Sequence, residues 1–478
     1  MKTNSLLFTA LSAVMLSGCS TLSAINPFDK SEADLRAEQG EVAGKEQRIS
    51  ILELSETLSV ETPTAPDLVV LPDPYVNADW PQPGGNVAHV VQHTGATGPL
   101  DRAWSKDVGE GSGRKGRIVA APVIANGTIF TVDARYNVMA LEEATGNRLW
   151  DFKIEGIERE STRVGKTSII DRIRDPLTLT DGDGTDKEGV GGGLAYSNGT
   201  IFAASGLGKM IALNAQTGEV IWSKETRVPL NSAPTVDNGR VFVISDDNEL
   251  FAMNSSTGEV LWSYQGIIET ASMLTAPAPA VVDDVIIAPF SSGELVALRV
   301  QNGGVLWQDS LSSTARLTPL ASLNDISGGP AVADGYVIAT AQSGVMTAFD
   351  LRTGQRVWSQ PAGSLSIPLI VGDVVFTATT TGQVAALSKL DGKVHWIQQL
   401  ENYKNAKKRK ERTVWTGPIM AGNRLLVASS RGDVTLLDPR AGTILKEMSV
   451  SDPVFVPPII ANETVYILTD EAKLVALR

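Results

Sequence analysis

One phrase recurs along the chain and closes, almost every time, on tryptophan. ALEEATGNRLW, ALNAQTGEVIW, AMNSSTGEVLW, ALRVQNGGVLW, AFDLRTGQRVW, ALSKLDGKVHW and LLDPRAGTILK end at Trp150, Trp222, Trp262, Trp307, Trp358, Trp396 and Lys446. Four residues before each end stands a glycine: Gly146, Gly218, Gly258, Gly303, Gly354, Gly392 and Gly442. A glycine held between two apolar runs marks a tight turn that needs positive φ, and the runs themselves read as short strands. Pro122, Pro234, Pro279, Pro330, Pro368 and Pro418 each lie 28 residues before the end of their repeat, and Leu194 takes that slot in the second copy. Proline suits the mouth of a strand, where no ladder hydrogen bond is needed. A second turn, as in ANGTIF, DNGRVF, ADGYVI and AGNRLL, divides the stretch in between. Each unit is therefore expected to hold four antiparallel strands of about five residues.

The phase of the repeat predicts how the chain closes. It ends on EAKLVALR, with Ala476 in the slot of Ala212, Ala252 and Ala348, and the tryptophan due ten residues later has no residue to occupy it. The same phase puts Pro458 in the proline slot of this eighth unit. Its missing strand is supplied by LDRAWSKDVG, with Trp104, near the other end of the repeat region. The expected fold is all-β: an eight-bladed β-propeller of four-stranded antiparallel blades, closed by an N-terminal strand that completes the C-terminal blade and leaves almost no free sheet edge. The recurrent tryptophan is expected to wedge between neighbouring blades.

The segment before the repeats reads differently. MKTNSLLFTALSAVMLSGCS has a lysine, an apolar run too short to remain as a spanning helix, and small residues, as in a secretory signal. Its LSGC resembles a bacterial lipobox, which implies cleavage before Cys19 and acylation of that residue, the single cysteine of the chain. Several acyl chains anchor stably where one is marginal. Ser20 after the cysteine, by resemblance to lipoprotein sorting, points to the periplasmic leaflet of the outer membrane. The expected organisation is a signal at 1–18, an acylated tether and arm at 19–79 and the propeller at 80–478. ISILELSETL is the one apolar patch of the tether, read as a core-docking strand or as a segment that pairs with a partner's sheet edge. A net charge of −13 argues against nucleic acid as a partner.

Within a unit the length from proline slot to final residue is constant, so variation is confined to the connections between units. In a propeller these all emerge on one face, where long insertions often mark the binding surface. The connections at 151–193, 263–278, 308–329 and 397–417 stand out. Two neighbours are apolar, with Ile267, Ile268, Met273 and Leu274 in one and Leu311, Leu317, Leu320 and Leu323 in the other. Such side chains on adjacent loops make an interaction patch, unless they fold back over the blades. Asp181, Asp183, Asp186 and Glu188 in DGDGTDKE are read as a calcium-binding cluster or a solvated turn; the spacing departs from that of an EF-hand. Lys404, Lys407, Lys408, Arg409, Lys410 and Arg412 are read as a site for lipid phosphates or an acidic partner, or as a solvated loop tip.

Chemistry is sparse. His89 and His93 lie in the N-terminal arm and His395 stands beside Trp396 in a strand. No nucleophilic triad and no zinc spacing can be assembled, and GEGSGRKG at 109–116 lacks the strand–turn–helix setting of a phosphate loop.

The A-x-x-x-x-T-G-x-x-x-W frame resembles the quinoprotein-type propeller repeat over residues 100–478. Two families share it: dehydrogenases that use pyrroloquinoline quinone (PQQ) with calcium, and the propeller lipoproteins of the outer-membrane β-barrel assembly machinery. Many of the dehydrogenases carry adjacent cysteines over the cofactor, which this chain lacks. The lipobox, the eight units and the compact repeat region are similar to the lipoproteins. That resemblance implies a non-enzymatic scaffold without a cofactor. It implies binding to the POTRA domains of the barrel-forming subunit and help in staging unfolded outer-membrane proteins. The family's partner loops fall on TASMLTAPAP and ASLNDISGGP, which nominates Met273, Leu274, Leu320, Leu323, Asn324 and Asp325. Asp325 matches an acidic position of the second loop. Leu274 stands where the family often has arginine. A quinone-dependent dehydrogenase is the alternative.

Overall fold

The computed structural model describes residues 58–60, 69–156, 189–226, 228–269, 277–311, 325–405 and 407–478. Cys19, the signal segment and the DGDGTDKE cluster lie outside the described residues.

Eight four-stranded antiparallel sheets form the body. Seven are consecutive in sequence, spanning 123–153, 192–225, 235–265, 280–310, 331–360, 369–399 and 415–449, and are numbered here as blades 1 to 7. Blade 8 joins the strands Ile459–Ala461, Thr464–Leu468 and Lys473–Leu477 to Arg102–Asp107, in the order the phase predicts. Trp104 pairs with Ala476 across that seam. The pairing repeats in every other tryptophan-bearing blade, as Ala140 with Trp150, Ala212 with Trp222, Ala252 with Trp262, Ala297 with Trp307, Ala348 with Trp358 and Ala386 with Trp396. Blade 7 puts Lys446 in the same register, opposite Leu436. A bulge follows the pairing in blades 1 to 7 and adds local twist where the outer strand begins.

The expected wedge is present, and it explains the glycines. Each stands at φ between 68° and 74° in the turn before the outer strand. A Cβ built on Gly258 would lie 2.6 Å from Trp222 Cε3, and one on Gly442 would lie 2.4 Å from Trp396 Cε3. The glycine therefore serves two ends at once: it takes the left-handed turn, and it lets the tryptophan of the preceding blade lie flat against the backbone. The indole then donates into that turn. Trp222 Nε1 is 2.8 Å from the Ser255 carbonyl oxygen, Trp307 Nε1 is 2.8 Å from that of Leu351, and Trp358 Nε1 is 2.8 Å from that of Lys389. Burial of a large ring and satisfaction of its one donor coincide.

Two slots differ from the simple pattern. Pro418 lies inside the strand Trp415–Met420, at a register shift between Thr416 and Ile419, where a bulge removes the need for its missing N–H. The basic connection of 397–417 forms its own exposed hairpin, Tyr403–Asn405 with Lys410–Arg412.

The N-terminal arm was not legible as structure, yet it packs closely. Residues 77–94 run once around the ring of innermost strands, visiting the blades in order. Asn77 Nδ2 donates to the Ile460 carbonyl oxygen of blade 8 at 2.6 Å. Trp80 exchanges two backbone bonds of 2.8 Å with Ile124 of blade 1. The Pro81 carbonyl accepts from Tyr196 of blade 2, and Gln82 bonds both polar groups of Val236 in blade 3. The carbonyls of Val87 and Ala88 accept from Val281 and Val332 of blades 4 and 5. Gln92 Oε1 accepts from Gly372 in blade 6, and the Thr94 carbonyl accepts from Gly422 in blade 7. All these partners stand at or beside the first turn of their blade, so the arm closes the axial channel at that end. Leu58 is also buried, within the cluster that holds Met346 and Trp358. The docking reading of the tether's apolar patch therefore holds at Leu58; residues 49–57 of the patch lie outside the described residues.

Candidate functional site

Chain direction assigns the two ends of the ring. Each innermost strand starts on the face where the blade-to-blade connections emerge and ends at the first turn, where the arm lies. The variable connections and the open end of the axial channel therefore share one face.

The channel is a blind funnel of about 370 Å³. Its floor is the arm, through Trp80, Pro83, Gly84, His89 and Val91. Its wall is made by the starts of the innermost strands, including Ile118, Ala121, Leu194, Ile367, Ile419 and Ile459. The polar side chains in the lining are hydroxyls, two indole N–H groups and one imidazole, that of His89. A PQQ cofactor with its calcium needs hard oxygen ligands for the metal and cationic or amide partners for its carboxylates. Among the described residues this lining has no carboxylate, amide or cationic chain, so those residues do not fit that group. No cluster of three His, Cys, Asp or Glu side chains able to hold a metal occurs among the described residues.

Around the mouth, the nominated residues fare unevenly. Met273, Leu274, Leu320, Leu323 and Asn324, with Leu317, lie outside the described residues. Ile267 and Ile268 are 58% and 64% exposed, among the largest apolar exposures of the molecule. The backbone of Ile267 is nevertheless held: its N–H donates to Glu294 Oε2 at 2.8 Å, and its carbonyl accepts from Asn248 Nδ2 at 2.6 Å. A fixed backbone with water-exposed apolar side chains is the arrangement of an interaction surface.

Two expectations are corrected. Leu311, grouped with the exposed loop residues by sequence, is fully buried with Ile326 in the core between blades 4 and 5. Asp325, nominated as a contact residue, is only 3% exposed. Its carbonyl oxygen accepts from the Gln342 N–H at 3.0 Å, which fixes the foot of the connection against blade 5. Both residues end a variable loop where it re-enters the ring. Sequence position marks that boundary poorly, because burial resumes before the proline slot.

The basic hairpin is exposed, braced across its own two strands and joined to the neighbouring blade through Arg412. Lys404 pairs with Glu411 at 3.1 Å, and the Arg412 guanidinium donates to the Thr380 carbonyl of blade 6. His395 is half-buried in the outer strand of blade 6.

Comparison with known proteins fits this architecture. Residues 177–398 match the family model described as outer membrane protein assembly factor BamB. Residues 93–223 match the β-propeller domain of glucose/ethanol/alcohol dehydrogenases. The BamB of Shigella dysenteriae serotype 1 is 30% identical over 353 residues, which cover 74% of this chain and 82% of that one. The BamB of Yersinia pestis is 25% identical over 367 residues, covering 77% and 86%. Among solved structures, BamB from Moraxella catarrhalis superposes with a TM-score of 0.60 at 18% identity, over 79% of this chain and 99% of that one. The quinohemoprotein alcohol dehydrogenase of Comamonas testosteroni reaches 0.58 at 14% identity, over 84% and 80%, a likeness of fold alone. With that identity to the Shigella protein, sustained over most of both chains, this chain belongs to the family of the outer membrane protein assembly factor BamB.

Proposed function

We propose that the protein is a non-catalytic scaffold of outer-membrane β-barrel protein assembly. In this reading Cys19 carries the acyl anchor, which holds the propeller at the periplasmic face of the outer membrane. The face bearing the variable connections docks the POTRA domains of the barrel-forming subunit and helps stage unfolded outer-membrane proteins. The names of the relatives support the assembly role. The observation that carries the choice of face is the exposed pair Ile267 and Ile268, pinned through the backbone of Ile267, which precedes Met273 and Leu274 in the same connection. Leu320, Leu323 and Asn324 on the next connection complete the proposed contact. Asp325 supports it from beneath. The dehydrogenase alternative finds no support in the described lining of the funnel, which holds no ligands for its cofactor.

The test is a pull-down from detergent-solubilised envelopes. Wild type is compared with a variant carrying Ile268→Ser, Met273→Ser and Leu274→Ser. Asp325 is left intact, because a change at a buried carboxylate would perturb folding. Co-purification of a large β-barrel protein with wild type, and its loss from the folded variant, supports the reading. Absence from both defeats the assembly role. Retention by both keeps the role and rejects these loops.

A further inference from the structure

The basic hairpin and GEGSGRKG take no part in the proposed contact, yet the topology sets both on one sector of the connection face. Three successive connections make that sector: 400–414 between blades 6 and 7, 450–458 between blades 7 and 8, and 108–122 between blades 8 and 1. The first carries the hairpin tip, where Lys407, Lys408, Arg409 and Lys410 are all exposed and without an ion-pair partner among the described residues. The tip is a fixed turn: the Lys408 N–H donates to Asn405 Oδ1 at 3.1 Å, and Arg409 takes φ 48°. The third connection carries a second basic tip. There the Gly113 N–H donates to the Gly116 carbonyl oxygen at 2.8 Å, and Arg114, Lys115 and Arg117 are exposed around that turn. On the connection between the two tips, Phe455 is 45% exposed, although Val454 and Val456 on either side are buried. The segment is held, because the Val454 N–H donates to the Ser429 carbonyl oxygen at 3.0 Å.

The chemistry of the sector selects its ligand. The chain carries a net charge of −13, so two cationic tips on neighbouring connections are a local reversal of sign. Three carboxylates of the sector are held in ion pairs, Glu411 with Lys404, Glu401 with Arg431 and Asp452 with Lys473. The tips therefore keep an excess of positive charge, even with Glu110 and Glu471 exposed in the same sector. Lysine is a compact, mobile point charge that suits phosphates spread over a surface, whereas a shaped carboxylate site is met better by the guanidinium fork. Basic residues flanking an exposed aromatic ring form the pattern of a surface that rests in the headgroup layer of a bilayer. We propose that this sector, from the hairpin of blade 6 to the tip before blade 1, is a lipid-contact surface. Its cations meet the phosphates of anionic phospholipid, and Phe455 enters the headgroup layer. The choice of lipid over an acidic protein rests on the proposed acyl anchor at Cys19, which keeps the propeller beside a bilayer. In a ring of eight, the connection between blades 3 and 4, with Ile267 and Ile268, lies across from that of Phe455, so lipid and protein partner occupy opposite sides of the face.

The test uses residues 19–478 bearing Cys19→Ser, the expected mature chain without its acyl anchor, so that membrane binding comes from the polypeptide alone. Co-sedimentation is measured with vesicles of phosphatidylcholine and with vesicles of equal parts phosphatidylcholine and phosphatidylglycerol. This parent chain is expected to bind the anionic vesicles only. Binding should fall as salt is raised from about 0.1 M to about 1 M, which shortens the screening length from about 10 Å to about 3 Å. One cation near an anionic leaflet contributes about 1 kcal/mol, or about fivefold in partitioning. Lys407→Gln with Lys408→Gln is therefore expected to weaken binding about twentyfold, and Phe455→Ser by about fivefold through lost apolar contact. Arg352→Gln with Arg440→Gln removes equal charge from exposed sites in the Thr-Gly turns of the opposite face and is expected to change it less than about twofold. No preference for anionic vesicles, or equal losses from the two double variants, would overturn the proposal. So would binding to poly-L-glutamate, lost with Lys407→Gln and Lys408→Gln, without binding to anionic vesicles; that result assigns the sector to an acidic polypeptide. The variant with Ile268→Ser, Met273→Ser and Leu274→Ser should bind vesicles as the parent does, so failure of the partner loops and failure of the lipid contact are read separately.

Discussion

On the face formed by the Thr-Gly turns, the six joints between successive blades 1 to 7 repeat one design: a glycine at positive φ, a tryptophan pressed on it, and an indole N–H donated into the next blade. The first turns open on the same side, and the arm crosses all of them. On the opposite face the connections from blade to blade do not repeat. The connections differ in length and composition, the funnel opens, and Ile267 and Ile268 stand in water. A repeat protein must keep its joints alike to close a ring, and it is free to vary only where no joint constrains it. The regular face therefore carries the stability, and the irregular face is left for recognition.

The comparison can be broken most severely on the regular face. Gly258→Leu places a side chain against Trp222 at a residue with φ of 70°. It is expected to destabilise the ring by about 3 kcal/mol, seen as a lowered urea midpoint. If stability is unchanged, the joint is not what holds the blades.

Next comes the arm. His89 titrates at 6.5 when exposed and at about 4 in the fold, through burial. Between these values the unfolded chain binds more protons, so stability is full above about pH 6.5 and falls as the pH drops toward 4. The loss attributable to this group is about 3 kcal/mol. Urea midpoints measured across that range should show a slope that His89→Gln flattens. An unflattened slope would mean that other groups govern acid unfolding.

The smallest effect belongs to the irregular face. Ile267→Ser with Ile268→Ser should leave the midpoint within about 0.5 kcal/mol, because the side chains are already solvated. A large loss there would mean that these residues pack and are not presented.

The two regions also differ in how far they could be read from sequence. The strand of Trp104 is assignable to the eighth unit by counting residues, because a ring with a fixed unit has one closure that preserves phase, and in the fold Trp104 pairs with Ala476. The glycine–tryptophan joints were legible for the same reason: seven copies of one sentence reveal what each position needs. The circuit of the arm was not. Asn77, Gln82 and Thr94 each meet a different blade through a different bond, so nothing repeats to signal it. His89 reads as one histidine of the N-terminal arm, and its burial is visible only in the fold. The burial of Asp325 and Leu311 could not be read from sequence, because loop composition carries no marker of where burial resumes.

The most direct test of the division between faces is photo-crosslinking in intact envelopes. One crosslinkable residue is placed at Ile268, on the irregular face, and another at Thr257, in a Thr-Gly turn of the regular face. The account predicts an adduct with a β-barrel assembly protein from position 268 and none from position 257. An adduct from 257 alone, or equal adducts from both, would contradict it.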